Sequence, residues 1–204
     1  MTNYLHEGDL PDGLDFGTSV AVDSETMGLL QHRDRLCVVQ LSDGKGDAHL
    51  VRFRIGAYQA PNLKALMTNP GVTKIFHFAR FDVAVIKQYL GVTIQPVYCT
   101  KIASKLVRTY TDRHGLKDLC RELAGVNLDK QQQSSDWGQD VITPAQIDYA
   151  ASDVLYLHKL KEKLDMMLHR EGRMHHAVAS FEYLQTRAAL DLEGFEAMDI
   201  FSHK

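Results

Sequence analysis

The chain has 204 residues, of which 45% are hydrophobic and 24% charged, and a formal net charge of −3. This size and balance predict one soluble globular domain, residues 1–204, with a core of its own. No apolar run approaches the ~20 residues that a membrane-spanning helix needs. The net charge argues against a broad basic surface for long nucleic acid. Either nucleic acid is not the substrate, or a metal site and a few basic groups hold it locally.

The amino-terminal residues and the cysteines indicate a compartment. The first residues are polar and acidic, unlike a secretory signal. The chain has an odd number of cysteines without metal-ligand spacing, namely Cys37, Cys99 and Cys120. We therefore expect a cytoplasmic protein with reduced thiols.

The first part of the chain has strand patterns. Short segments rich in Val and Leu, separated by Gly or Asp clusters, predict an antiparallel meander at residues 19–23, 35–41 and 48–53. A short helix with Pro in its first turn is predicted at residues 61–67, and a fourth strand at residues 72–76.

Helical patterns dominate the rest of the chain. Apolar residues recur at helical spacing from residue 78 to residue 90, where Gly91 ends the helix. Further helices are predicted at residues 100–108, 116–124, 144–170 and 177–189. Strands followed by helices predict an α/β fold in which helices flank a mixed sheet.

Two carboxylates follow the first predicted strand. Asp23 and Glu25 are two residues apart, so in a strand their side chains face the same side. Side by side at the end of a buried strand they repel each other unless a cation joins them. Oxygen ligands suit Mg²⁺ or Mn²⁺. Alone, such a pair is more often a solvated turn at a strand end.

Two further positions carry candidate chemistry. Tyr149 and Asp153 are four residues apart on one helix face, next to small residues that allow a close approach to the sheet. A phenol there can orient a water, but a buried tyrosine beside a solvent-facing aspartate is the simpler alternative. Asp82 interrupts the apolar stripe of its helix, so it is either capped or bound to a cation.

Together these five residues resemble the tyrosine-bearing branch of the DEDD 3′–5′ exonuclease superfamily. The resemblance implies a ribonuclease H-like fold, with a mixed sheet of five or six strands flanked by helices. Residues 115–160, including Leu128-Asp129-Lys130 and Ser135-Asp136-Trp137, are similar to ribonuclease D throughout. The resemblance implies two divalent ions per site, Mg²⁺ or Mn²⁺, held by Asp23, Glu25, Asp82 and Asp153. It implies that Tyr149 orients the attacking water. One departure is Phe78, which follows His77 where many members have Asn.

Substrate contacts are expected around this centre. The resemblance implies that Thr26 holds the terminal 3′-hydroxyl and that Leu29 is a wedge between the last two bases, although Leu29 could simply cover the core. The loop before residue 118 could hold a 5′-phosphate, from its own or a neighbouring subunit, or be a solvated loop. The substrate-binding candidates are Thr26, Leu29, His77, Arg113, His114, Lys117 and Gln133.

The tail after residue 170 contains Glu171-Gly172-Arg173, Gln185-Thr186-Arg187-Ala188 and Asp199-Ile200-Phe201. It is similar to the nanoRNase C group, compact bacterial relatives that clear dinucleotides and very short RNAs and assemble as octameric rings. The resemblance implies hydrolysis of short RNA in a homo-oligomer, with no additional helical nucleic-acid-binding domain and no membrane partner. The alternatives are a general ribonuclease D-like exonuclease acting on longer RNA or DNA, an inactive binding module, and a polymerase proofreading domain. All five catalytic positions are present, which argues against the inactive module.

Overall fold

A six-stranded mixed sheet forms the centre of the fold. The computed structural model describes residues 2–129, 132 and 134–203. Across the sheet the strands follow the order β1-β4-β3-β2-β5-β6, where β1–β4, β2–β5 and β5–β6 are parallel pairs and the other two are antiparallel. In chain order the strands are Asn3–Glu7 (β1), Ser19–Thr26 (β2), Leu36–Ser42 (β3), Ala48–Arg52 (β4), Thr73–Phe76 (β5) and Val97–Cys99 (β6).

The predicted meander is confirmed, because β2, β3 and β4 pair in antiparallel fashion. Every residue of β3 is buried, as its apolar sequence requires. The edge strands β1 and β6 were not predicted. β1 is largely polar and partly exposed, and β6 has three residues, so neither has a clear strand pattern.

Helices account for most of the chain after β4. Gly91 ends the helix before it with a positive φ of 70°, as predicted. Turns of π-helix follow the fourth and seventh helices, at Cys120–Ala124 and Asp191–Phe195. In chain order the helices are Pro61–Thr68 (α1), Ala79–Leu90 (α2), Thr100–Val107 (α3), Leu116–Leu119 (α4), Pro144–Leu155 (α5), Leu157–Arg170 (α6) and Met174–Leu190 (α7).

The single helix predicted at residues 144–170 is wrong, because the backbone leaves helical geometry at Tyr156, with φ −106° and ψ −4°. A capping box between Thr143 and Gln146 starts α5. α5 packs across β1 to β4, whereas α6 packs mainly on α3. The apolar spacing continues through both helices, so the pattern alone hides the break.

The sheet topology decides where a site can lie. β2 and β5 are parallel neighbours, with Ala21 opposite Ile75, so their carboxyl ends meet at one edge of the sheet. In open α/β sheets ligands bind outside the carboxyl ends of the strands. In the part of the chain that the structure describes, no helix combines the length and apolarity needed to cross a bilayer.

Candidate active site

A cleft of about 670 Å³ lies at the carboxyl ends of β2 and β5. β2 contributes Asp23 and Glu25 to its lining, and α5 contributes Tyr149 and Asp153. Lys117 of α4 lies in the same lining. Residues more than a hundred positions apart in the chain therefore meet in one cleft, as the sequence predicts for Asp23, Glu25, Tyr149 and Asp153.

Three carboxylates form the floor of the cleft. One oxygen from each of Asp23, Glu25 and Asp153 lies within 4.8 Å of the others. Strand alternation turns Asp23 and Glu25 to the same side. Ala150 and Ala151 are buried to 0% and 1% exposure, so α5 can approach the sheet closely enough to add Asp153.

Asp82 lies apart from this trio, on the first turn of α2. Its side chain is 3% exposed, and its Oδ1 accepts a hydrogen bond of 2.6 Å from the Ser24 hydroxyl. Ser24 stands between Asp23 and Glu25 on β2 and lines the cleft with them. The Ser24 hydroxyl therefore caps one oxygen of Asp82, and a metal contact of this carboxylate stays a prediction.

The electrostatics of the floor favour a bound cation. Burial raises the pKa of Asp23 well above its usual value, and the charges of Asp82, Asp153 and Glu25 raise it further. Burial, Asp153 and Asp82 likewise raise the pKa of Glu25. Burial raises the pKa of Asp82 to about 7. Ionised carboxylates this close are stable only with a counter-ion, and an all-oxygen donor set fits Mg²⁺ or Mn²⁺.

Gln40 is a functional candidate that the sequence analysis missed. It lies directly opposite Asp23 in the pairing of β3 with β2, and its side chain is fully buried. Its Nε2 donates a hydrogen bond of 2.8 Å to Oδ2 of Asp23, and its amide also lowers the pKa of Glu25. The signal that could have found it is an amide in an otherwise apolar strand, next to a strand that carries two acids.

Tyr149 stands beside the trio. Burial raises the pKa of its phenol, and the neighbouring charges of Asp153, Glu25 and Asp23 add to the effect. The phenol therefore stays protonated at neutral pH and interacts with the Asp153 side chain. The Trp137 ring packs nearby, with its centroid 6.1 Å from that of Tyr149. This environment fixes the hydroxyl at the edge of the cleft.

The loop between β2 and β3 forms one rim. Leu29 is 81% exposed and lines the cleft, so it does not cover the core. Asp34 closes the loop, because its Oδ2 accepts from the Leu30 amide at 3.0 Å. A Cβ on Gly28 would lie 2.3 Å from the same carboxylate. The Thr26 hydroxyl donates to the Gly28 carbonyl at 2.5 Å. The Thr26 hydroxyl oxygen can therefore only accept a further hydrogen bond.

The opposite rim brings together only part of the predicted phosphate contacts. Lys117 lines the cleft, whereas Arg113 and His114 are not in its lining. His114 Nδ1 lies 2.9 Å from the Ser104 hydroxyl of α3, and the buried Arg108 guanidinium binds the Arg113 carbonyl at 2.7 Å. Gln133 lies outside the described residues. Contacts of Arg113 and His114 with a phosphate stay a prediction.

The segment after β5 forms the remaining wall. His77 lines the cleft, and its Nδ1 lies 2.9 Å from the Thr100 hydroxyl. Phe78 and Lys101 line it as well. Phe78 is the departure from the family pattern described above, whereas Lys101 was not predicted because it has no distinctive motif around it.

A model of the 3′–5′ exonuclease family matches residues 10–169, a span that contains all five predicted catalytic residues. The chain is 37% identical over 155 residues to ribonuclease D of Acidiphilium cryptum, over 76% of this chain and 39% of that protein. It therefore spans about two fifths of the length of that relative.

Solved structures extend the similarity over the full chain. Brucella melitensis NrnC with bound Mg²⁺ is 52% identical, with a TM-score of 0.96 and 100% of both chains covered. Brucella melitensis NrnC bound to pGG is 53% identical, with a TM-score of 0.97 and the same coverage. The predicted similarity to a compact relative of ribonuclease D is thus confirmed, and so is the ribonuclease H-like fold.

Proposed function

The chain belongs to the 3′–5′ exonuclease family, and from this premise we propose that it hydrolyses dinucleotides and very short RNA to nucleoside 5′-monophosphates. The observation that carries the proposal is the carboxylate floor. Asp23, Glu25 and Asp153 place oxygens within 4.8 Å of one another, with Tyr149 beside them. This arrangement suits attack of water on a terminal phosphodiester rather than a covalent enzyme intermediate.

Asp23, Glu25 and Asp153 would hold one divalent cation, and Asp82 with Asp23 would serve a second. When bound, such cations stabilise the charge that develops on the attacking and leaving oxygens. The Tyr149 hydroxyl donates to Asp153 and accepts from a water, which it orients towards phosphorus. The water oxygen loses a proton and bonds to phosphorus as the bond from phosphorus to the 3′-oxygen breaks. The leaving 3′-oxygen takes up a proton, so the penultimate nucleotide keeps a free 3′-hydroxyl.

Substrate length is the finer part of the proposal. The NrnC of Brucella melitensis has been solved bound to pGG, and the present chain matches it over its whole length at 53% identity. The net charge of −3 also fits a substrate with one or two phosphates. Leu29 at one rim and Lys117 at the other would contact the two ends of such a substrate.

A second candidate is a general exonuclease acting on longer RNA or DNA. The similarity to ribonuclease D favours it. The two candidates differ in how rate depends on length, because only a site that contacts both ends of a dinucleotide uses a 5′-phosphate to raise the rate at the scissile bond.

The deciding experiment is product analysis on labelled RNAs of two to seven nucleotides with Mg²⁺, alongside a DNA dinucleotide. We expect a 5′-phosphorylated dinucleotide to react faster than the heptamer and than the same dinucleotide without its phosphate. Neutralising Arg113 and Lys117 should remove that advantage. Faster reaction of the heptamer, with no effect of the 5′-phosphate, would select the general exonuclease.

Assembly as a homo-oligomer, with an octameric ring as the expected form, is part of the same proposal. It rests on the similarity of the tail to compact relatives. Mass measurement of the native protein in solution tests it directly. A monomer would leave the 5′-phosphate contacts to residues of a single chain.

A further inference from the structure

Phe78 has a backbone conformation that its side chain does not favour. Its φ of 65° and ψ of 44° lie in the left-handed region, where bulky residues are rare and Asn is enriched. It also occupies the N-cap of α2 and makes no side-chain capping hydrogen bond. The left-handed backbone therefore makes phenylalanine unfavourable at this position.

The Phe78 ring is placed at the cleft rather than in the core. Its side chain is 46% exposed, whereas Ala79, Asp82 and Val83, which follow it in α2, are 0–3% exposed. The ring lines the cleft that contains Asp23 and Glu25. It contributes little core packing to offset the unfavourable backbone, so its benefit must arise elsewhere.

Lys101 gives the ring an electrostatic partner. Its Nζ lies 4.3 Å from the ring centroid, in the range of a cation–π contact. Both side chains line the cleft, and both also line a separate, mainly apolar cavity of about 550 Å³ against α7. The ring and the ammonium group thus form a shared wall that offers the cleft an aromatic surface beside a positive charge.

We propose that Phe78, supported by Lys101, is a stacking platform for a nucleobase of the substrate. The proposal rests on the proposed function and adds a specificity-determining residue to it. An aromatic ring stacks on any base because every base has a π face, and a nearby cation suits the phosphate attached to that base. The left-handed backbone at the start of α2 is retained because it holds the ring in the cleft.

The test compares Phe78→Asn with Phe78→Leu and Phe78→Tyr. Asn tolerates the left-handed backbone better than Phe, so Phe78→Asn should melt at the same temperature as the wild type or higher. It should nevertheless raise KM for 5′-phosphorylated diadenylate by about 5- to 150-fold, the range of base–aromatic stacking, while kcat changes little. Phe78→Leu should lose the same affinity without a gain in stability, and Phe78→Tyr should retain it.

Base identity sharpens the test. Purines offer a larger π face than pyrimidines, so the wild type should prefer diadenylate to diuridylate in kcat/KM. That preference should collapse in Phe78→Asn and Phe78→Leu. Phe201→Asn is the matched control, because Phe201 is an exposed aromatic that lines the second cavity and not the cleft.

The possible failures are distinguishable. If the wild type cleaves diadenylate and Phe78→Asn has the same KM, the platform is wrong and the proposed function stands. If Phe78→Asn instead melts at a lower temperature and changes the mass of the native protein, Phe78 is a packing residue between copies of the chain, and the platform is again wrong. If the wild type cleaves no short RNA, the proposed function fails and the platform fails with it.

Discussion

Two buried carboxylate centres in this molecule differ in their partners. Asp191 is 2% exposed, and its carboxylate accepts from Arg80 at 2.6 and 2.7 Å and from Arg187 at 2.8 and 3.1 Å. Burial alone would raise its pKa, but hydrogen bonds from both arginines hold the pKa below its usual value.

The cleft carboxylates have the opposite electrostatics. Burial raises the pKa of Asp23, and the charged groups that act on it are other carboxylates. The difference shows that burial does not decide the role of an acid. Asp191 has its countercharge built into the chain and stabilises the fold. The cleft carboxylates need a countercharge from outside, which is what a metal-dependent site requires.

The largest expected effect is on catalysis by Asp23→Ala. Removing one ligand should lower the rate on a short RNA by at least about 10³-fold, because metal stabilisation is worth several kcal/mol. The metal-free variant should melt at a higher temperature than the wild type, because mutual repulsion in the floor is relieved. Asp43→Ala, at a partly exposed aspartate after β3 and outside the cleft lining, is the control. Turnover close to that of the wild type would contradict the assigned site.

Tyr149→Phe removes one hydroxyl from the same centre. If the hydroxyl orients the water, single-turnover rates should fall by about 10²-fold or more, with little change in metal affinity. Tyr156→Phe, at the break between α5 and α6, is the matched control. A rate within about threefold of the wild type would make Tyr149 a packing residue.

Asp191→Asn tests the buried carboxylate that Arg80 and Arg187 neutralise. The amide leaves two guanidinium groups without their countercharge, so the free energy of unfolding should fall by about 3 kcal/mol in a denaturant titration. Calorimetric Mg²⁺ binding should be unchanged. Glu193→Gln, two residues away and exposed, should change neither quantity. Loss of metal affinity in Asp191→Asn with unchanged stability would show that the two centres are not independent.

Gln40→Leu tests whether the Gln40 amide orients the Asp23 carboxylate for metal binding. The variant removes the amide that donates to Asp23, so metal affinity should fall by about 10- to 100-fold while the fold is kept. Ser42→Ala is a useful control, because the Ser42 hydroxyl is also buried on β3 but bonds the Asp47 carbonyl instead. Equal affinity in Gln40→Leu and wild type would mean that the amide does not position the ligand.

The smallest expected effect concerns pH. In the metal-free protein the pKa of Asp82 is about 7, against 3.8 for an ordinary aspartate, so the folded protein binds this proton more tightly than the unfolded chain. Its contribution to stability should therefore be present below 3.8 and be lost as pH rises towards 7. Asp82→Asn should flatten this part of the melting profile, and saturating Mg²⁺ should raise the wild-type curve at neutral pH. An unchanged melting profile in Asp82→Asn would contradict a raised pKa at Asp82.

The sequence predicted the residues whose geometry is local. Asp23 and Glu25 are two apart in a strand, and Tyr149 and Asp153 are four apart in a helix, so periodicity alone places each pair on one face. The mixed sheet and most helices could be predicted for the same reason. β1 has no such pattern, because it is an edge strand with few buried side chains.

Other features depend on contacts between distant segments and could not be read from a pattern. Gln40 contacts Asp23 only through the register of two strands. The capping of Asp82 by Ser24 depends on where the first turn of α2 lies relative to β2. Phe78 has a left-handed backbone, which bulky residues rarely adopt. The apolar spacing therefore placed it inside the predicted helix, whereas it precedes the first residue of α2.

The position of Arg80 has a practical consequence for protein engineering. It lies on the first turn of α2, between Phe78 and Asp82, and it binds both Asp191 and the Glu196 carbonyl. The segment after α7 is thus fastened to the helix that carries part of the candidate site. Trimming these residues to obtain better crystals, or fusing a bulky label directly to them, would loosen α2 and disturb the cleft from the far end of the polypeptide.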